Sequence, residues 1–117
     1  MMKDIKSTYT LAGNDYDGAL NRTAGDEELF LSLLDMFLND KSWSELNAAM
    51  ANGDTKAAFA AAHSLKGSSG MLGMTRLFDA VRPLTEALRG GDIALAKVLF
   101  PAAEREYEAV TELIKTL

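Results

Sequence analysis

The sequence predicts an all-α protein: an up-down antiparallel four-helix bundle with a short additional N-terminal helix. Three observations carry this. Apolar residues recur at three- and four-residue spacing, strand-like alternation is absent, and Gly-Asp pairs recur at 25–26, 53–54 and 91–92. In each pair the glycine can leave one helix in the left-handed conformation while the aspartate caps the next. Short connections between such helices make consecutive ones antiparallel neighbours.

Taken in chain order, residues 1–14 are expected to form a flexible arm and residues 15–117 one folded domain. Gly13-Asn14-Asp15 allows a short leading helix over 15–22. A long helix is expected over 26–52, with Leu29, Phe30, Leu33, Met36 and Phe37 on one core stripe that Trp43 and Met50 continue. The next helix runs over 54–72. Gly73 followed by Thr75 marks a further start, because the short polar side chain can accept from a free backbone N–H of the new turn. The helix it opens, over 75–89, carries Leu77, Val81, Leu84 and Leu88. The last helix, over 92–116, repeats Ile93, Ala96, Phe100, Ala103, Tyr107, Val110, Ile114 and Leu117, an alternation suited to antiparallel packing. Pro83 and Pro101 fall inside these last two helices, where each removes a hydrogen bond and crowds the carbonyl four residues earlier. A kink is expected at each, with the helices continuous because the stripes hold phase.

Composition narrows the function. A length of 117 residues suits one core, and 48% hydrophobic with 25% charged residues is globular composition. A net charge of -5 without a basic cluster argues against nucleic acid. Zero cysteines exclude disulfides, thiolate metal sites and cysteine nucleophiles, and a single histidine disfavours any metal site. Apolar runs stop well short of the roughly 20 residues a bilayer span needs, so no membrane association is expected. The chain is expected to be cytoplasmic and monomeric.

The segment 54–72 is where the chemistry concentrates. On a helical wheel Ala58, Ala61, Leu65, Ser68, Ser69 and Leu72 share one face, small and apolar enough for a neighbouring helix to approach closely. His63 therefore points outward, among Lys56, Phe59, Ala60, Lys66, Gly67 and Gly70. Glycine inside a helix costs about 0.8–1.0 kcal/mol relative to alanine, so two of them beside the one histidine call for a reason. Access is one that fits: a bare ridge lets a bulky partner descend onto the imidazole. Lys66 supplies a mobile cation one turn from the imidazole, able to pair with an anionic group there, and Phe59, with Lys56 and Ala60, offers a docking contact. Leu31, Leu34 and Leu38, off the main stripe of the preceding helix, are candidates to extend that docking surface or to be covered by the 15–22 helix. A neutral imidazole keeps a nucleophilic nitrogen above a pKa of about 6.5. No triad partner or oxyanion site accompanies it, which suits a carrier better than an enzyme.

The run His63-Ser-Leu-Lys66-Gly67-Ser-Ser-Gly70-Met-Leu-Gly73, followed by Leu77, Leu84 and Arg89-Gly-Gly-Asp, resembles the histidine phosphotransfer domain family of multistep phosphorelays over residues 26–116. The resemblance implies a four-helix bundle, His63 as phosphoacceptor, Lys66 as the phosphoryl-stabilising lysine and Gly67 as the clearance residue. It implies exchange with an aspartate of a response-regulator receiver domain, and a hybrid sensor histidine kinase is a further partner to expect. Mg²⁺ would sit in the receiver rather than in this domain, which would bind no cofactor and no ATP. The chain departs from the family pattern at Leu84-Thr85, where Leu-Glu is common, and at Pro83. Two other readings compete: the N-terminal phosphoacceptor domain of a chemotaxis-type histidine kinase, and a helical adaptor that binds receivers without carrying phosphate.

Overall fold

Seven helices make up the described residues, 4–117, of the computed structural model. They are α1 (Ile5–Leu11), α2 (Tyr16–Arg22), α3 (Glu27–Leu38), α4 (Ser42–Asn52), α5 (Thr55–Met71), α6 (Thr75–Arg89) and α7 (Ile93–Lys115). No strand occurs among these residues. The Gly-Asp punctuation explains three of the starts. Asp26, Asp54 and Asp92 each accept from the backbone N–H three residues on, at 3.1, 3.1 and 3.0 Å. Gly53 ends α4 at φ +67°, a conformation that favours a residue without Cβ. Asp15 opens α2 in the same way, accepting from Gly18 at 3.0 Å. The start of α6 differs from expectation. Met74 occupies its cap position with no side-chain bond, and Thr75 is already helical, its hydroxyl turned back to the Gly73 carbonyl at 3.4 Å.

The helix expected over 26–52 is two helices. Asn39 donates its side-chain amide to the Asp35 carbonyl at 3.0 Å, and Asp40 accepts from the Ser42 N–H at 2.7 Å. Short polar side chains that bond nearby backbone compete with the helix ladder, so the chain breaks here without glycine or proline. The core face of α3 is also rotated from the predicted stripe. Phe30, Leu34 and Phe37 are buried, whereas Leu29 and Met36 are 44% and 64% exposed.

That rotation has a cause in the N-terminal segment. The expected flexible arm over 1–14 is in its described part a capped helix, α1, with the Asp4 side chain accepting from Ser7; residues 1–3 lie outside the described residues. Tyr9 of α1 is fully buried, and its ring meets Phe30 edge-on at 5.4 Å while Tyr16 of α2 meets the same ring at 5.8 Å. The arm is ordered because its aromatic ring completes the core at this end. The same segment also ties down the end of α5. Tyr9 donates to the Leu72 carbonyl at 2.6 Å, the Arg22 Nε to the Met71 carbonyl at 2.8 Å and the Asp15 N–H to the Gly73 carbonyl at 2.8 Å. Carbonyls that a helix end leaves without partners are thereby satisfied.

The bundle proper places α4 against α5, α5 against α6 and α6 against α7, and α3 closes onto α7. Its first strut is thus α3 plus α4, and two short helices precede it rather than one. The body measures 46 × 24 × 20 Å. Leu77, Val81, Leu84 and Leu88 of α6 are buried as predicted, as are Ala96, Ala103, Val110 and Ile114 of α7. On α5 the buried residues Ala58, Ala61, Ala62, Leu65 and Ser69 give the expected small-residue face. Both proline-containing helices run unbroken through Pro83 and Pro101. Both prolines sit on exposed positions, where a displaced carbonyl can reach water. Thr85, in the Leu84-Thr85 pair, is fully buried and donates its hydroxyl to the Val81 carbonyl at 2.8 Å. The buried polar group is therefore satisfied within its own helix.

Candidate functional site

His63 sits midway along α5, on the face opposite Ala58, Ala61 and Leu65, and is exposed to solvent. Nothing among the described residues hydrogen-bonds its imidazole or pairs with it ionically. Next to it Ser64 is bonded to Ser42, oxygen to oxygen at 3.0 Å, which fastens the start of α4 to this turn of α5. One turn before His63, the half-buried Phe59 ring lies 5.6 Å from the imidazole at a 39° tilt. Lys56 and Ala60 are exposed on the same side. One turn after it come the half-buried Lys66 and then the bare backbone of Gly67.

The two glycines near His63 turn out to have different reasons. A Cβ built on Gly67 would meet nothing within 4 Å. No packing inside the chain asks for glycine there, so the open space lies toward whatever approaches from outside. A Cβ on Gly70 would lie 3.2 and 3.3 Å from the Phe78 ring of α6. Gly70, expected to serve access to the imidazole, is instead a close-approach position between α5 and α6.

The proposed docking residues also divide. Phe59, Lys56 and Ala60 come together with His63 in one hollow of about 620 Å³, whose opposite wall is Leu88 and Arg89 of α6. Leu34 is 1% exposed and belongs to the core, so it cannot contact a partner. Leu31 and Leu38 are half-buried and packed against that core. The period-based stripe had placed Leu34 outside the core; the aromatic packing of α1 and α2 on Phe30 turns α3 so that Leu34 faces inward.

Sequence reading missed the far wall of the hollow. The Arg89 guanidinium carbon lies 4.8 Å from the centre of the Phe59 ring, a cation–π contact. Arg89 also donates to Glu86 at 3.2 and 3.4 Å. A signal was available: Phe59 lies 14 residues before Gly73 and Ala87 14 residues after it. Antiparallel helices turning at Gly73 must bring the end of α6 beside Phe59. Among the described residues no cluster of three or more His, Cys, Asp and Glu side chains could hold a metal ion. No helix among them is long and apolar enough to cross a membrane.

Fold and site together define an all-helical bundle that presents one free imidazole on the side of a long helix. The family model of the Hpt domain matches residues 32–113, and the chain belongs to that family. The match begins within α3, so α1 and α2 precede it. No curated protein and no solved structure matches the chain.

Proposed function

We propose that His63 accepts a phosphoryl group from the aspartyl phosphate of a response-regulator receiver domain and passes it to another receiver. Hpt domains serve histidine phosphotransfer in phosphorelays in general; the residue, the partner class and the two-way exchange are the finer reading. An unpartnered imidazole beside an open Gly67 ridge is the observation that carries it. A ring nitrogen attacks phosphorus in line, the N–P bond forms, and the acyl phosphate P–O bond breaks to release the receiver's carboxylate. Mg²⁺ belongs to the receiver's own site. Lys66 is close enough along the helix, one turn away, for its ammonium to pair with the transferred oxygens. Phosphohistidine is itself a good donor, so the reverse step onto a second receiver needs no further machinery. The domain is then a carrier rather than an enzyme, without an ATP site.

The test incubates the chain with receiver domains phosphorylated by a small-molecule phosphodonor and follows the label. Acid-labile, base-stable label on the chain is expected, and none on His63→Gln. Transfer that survives His63→Gln would falsify the assignment, and tight receiver binding without any label would favour an adaptor instead.

A further inference from the structure

Transfer at His63 uses one face of α5 and leaves the far side of the bundle without a role. That side belongs to α7, which packs on α6 and α3, while α5 packs on α4 and α6. The outward face of α7 is unlike that of a solvated helix. Ala94, Leu95, Val98 and Pro101 are exposed in its first half, Val98 by 74%, and Lys97 is the only charge among residues 94–101. Two of these residues suit an exposed helix poorly. Valine loses side-chain freedom there, and Pro101 removes the N–H that the Lys97 carbonyl would accept from. Both point away from the core, so packing inside the chain accounts for neither. Arg105, Glu108 and Ala109 continue the same face into the second half of the helix. Lys97, Arg105 and Glu108 form no ion pair among the described residues, whereas Arg76, Arg89 and Lys115 each hold an acid.

We infer that this face is a self-association surface, on which a second copy of the chain lays its own α7 antiparallel. Charge and shape agree in one register. With the helices crossing between Ala102 and Ala103, a two-fold axis brings each Lys97 level with Glu108 of the second copy, on the same flank of the face. Val98 then falls between Arg105 and Ala109 of the second copy, a knob over a hole. Small side chains at Ala102 and Ala103 let the two backbones come close at the crossing. Arg105 of the second copy comes beside Pro101, where its guanidinium can donate to the Lys97 carbonyl that the proline leaves without a helix donor. Three charges and one acceptor without partners in a single copy are matched by the other. The strip from Ala94 to Ala109 is about 22 Å long. One helix face of that length buries less than the about 1,200 Å² of a standard interface, so a dissociation constant of about 10–100 µM is expected. The chain is then a monomer when dilute, as its sequence suggests, and a pair when concentrated. Because the outer face of α7 points away from α5, both His63 imidazoles stay open in the pair, and the inference stands apart from the phosphotransfer reading.

Sedimentation equilibrium across about 10 µM to 1 mM chain tests it, since mass action shifts a weak pair over that range. The average mass is expected to rise from 12.6 kDa toward twice that value. Val98→Asp should raise the dissociation constant at least tenfold, about 1.4 kcal/mol. Lys97→Glu and Glu108→Lys should each raise it about threefold to tenfold, and the double variant should return to within about twofold of wild type. All three positions are exposed, and circular dichroism melts confirm that each variant folds. A mass of 12.6 kDa at every concentration overturns the inference, as does association that Val98→Asp leaves unchanged. A double variant that pairs no more tightly than either single one also overturns it, because the antiparallel register requires Lys97 to meet Glu108. Label on His63 from a phosphorylated receiver should appear at the wild-type rate in Val98→Asp, so loss of pairing and failure of phosphotransfer are read separately.

Discussion

Replacing Gly67 by alanine separates folding from function more cleanly than any other single change. In the exposed interior of α5 the added methyl meets nothing within 4 Å. It therefore brings the full helix-propensity gain of about 0.8–1.0 kcal/mol, partly by restricting the unfolded chain. For a domain of this size that corresponds to a rise in Tm of about 3–6 °C. The same methyl stands on the ridge that a partner must cross to reach His63, so phosphotransfer should slow, and slow further with Gly67→Gln. Gly70→Ala provides the contrast. Its methyl would lie 3.2 Å from the half-buried Phe78 ring, which must give by a few tenths of an ångström to admit it, so the repacking offsets part of the propensity gain. Thermal melts by circular dichroism and transfer rates on the same samples give both quantities. A Gly67→Ala protein that is less stable than wild type, or that transfers at the wild-type rate in both Gly67 variants, refutes the clearance role. A Gly70→Ala protein stabilised as much as Gly67→Ala refutes the packing role of Gly70.

Three further outcomes are expected. Tyr9→Phe leaves the buried Leu72 carbonyl without its donor and should cost about 1–3 kcal/mol in urea unfolding; a loss under 0.3 kcal/mol would mean that α1 does not pin α5. Tyr16 donates to Glu27, and that hydrogen bond together with burial raises its phenol to about 12. A raised pKa favours the protonated form in the folded state, so the contribution is complete below about pH 10 and is lost as pH rises through 12. Tyr16→Phe should flatten the fall in stability across that window, and an unchanged alkaline profile would count against it. Lys66→Ala should slow phosphotransfer by about tenfold to a hundredfold, the scale of one charge-assisted hydrogen bond, while leaving the unfolding midpoint almost unmoved; a normal rate removes the lysine from the mechanism.

Much of the fold was legible because local chemistry decided it. The Gly-Asp pairs end and begin helices by backbone conformation and capping alone, and the stripes of α6 and α7 agree with what is buried. What sequence pattern could not give depends on contacts between distant segments. Tyr9 and Phe30 are 21 residues apart, and only their packing makes a helix of the supposed arm and turns Leu34 inward. The break at Asn39-Asp40 carries no glycine or proline, so side chains bonding to nearby backbone ended the helix without a conventional mark. At the site, the wheel of α5 placed His63, Lys56, Phe59 and Ala60 on one exposed face, but a single-helix wheel holds no information about its neighbour. Arg89 as a wall of the hollow, and Phe78 behind Gly70, both come from α6.

The most direct measurement is the site of phosphate on the chain after brief exposure to a phosphorylated receiver, located by tandem mass spectrometry under basic conditions. One phosphoryl group on the His63 imidazole is predicted, lost on acid treatment, returned to unphosphorylated receiver on mixing, and absent from a His63→Gln protein with an unchanged melt. Phosphate on a serine, threonine or aspartate, or an equal yield from His63→Gln, would contradict it.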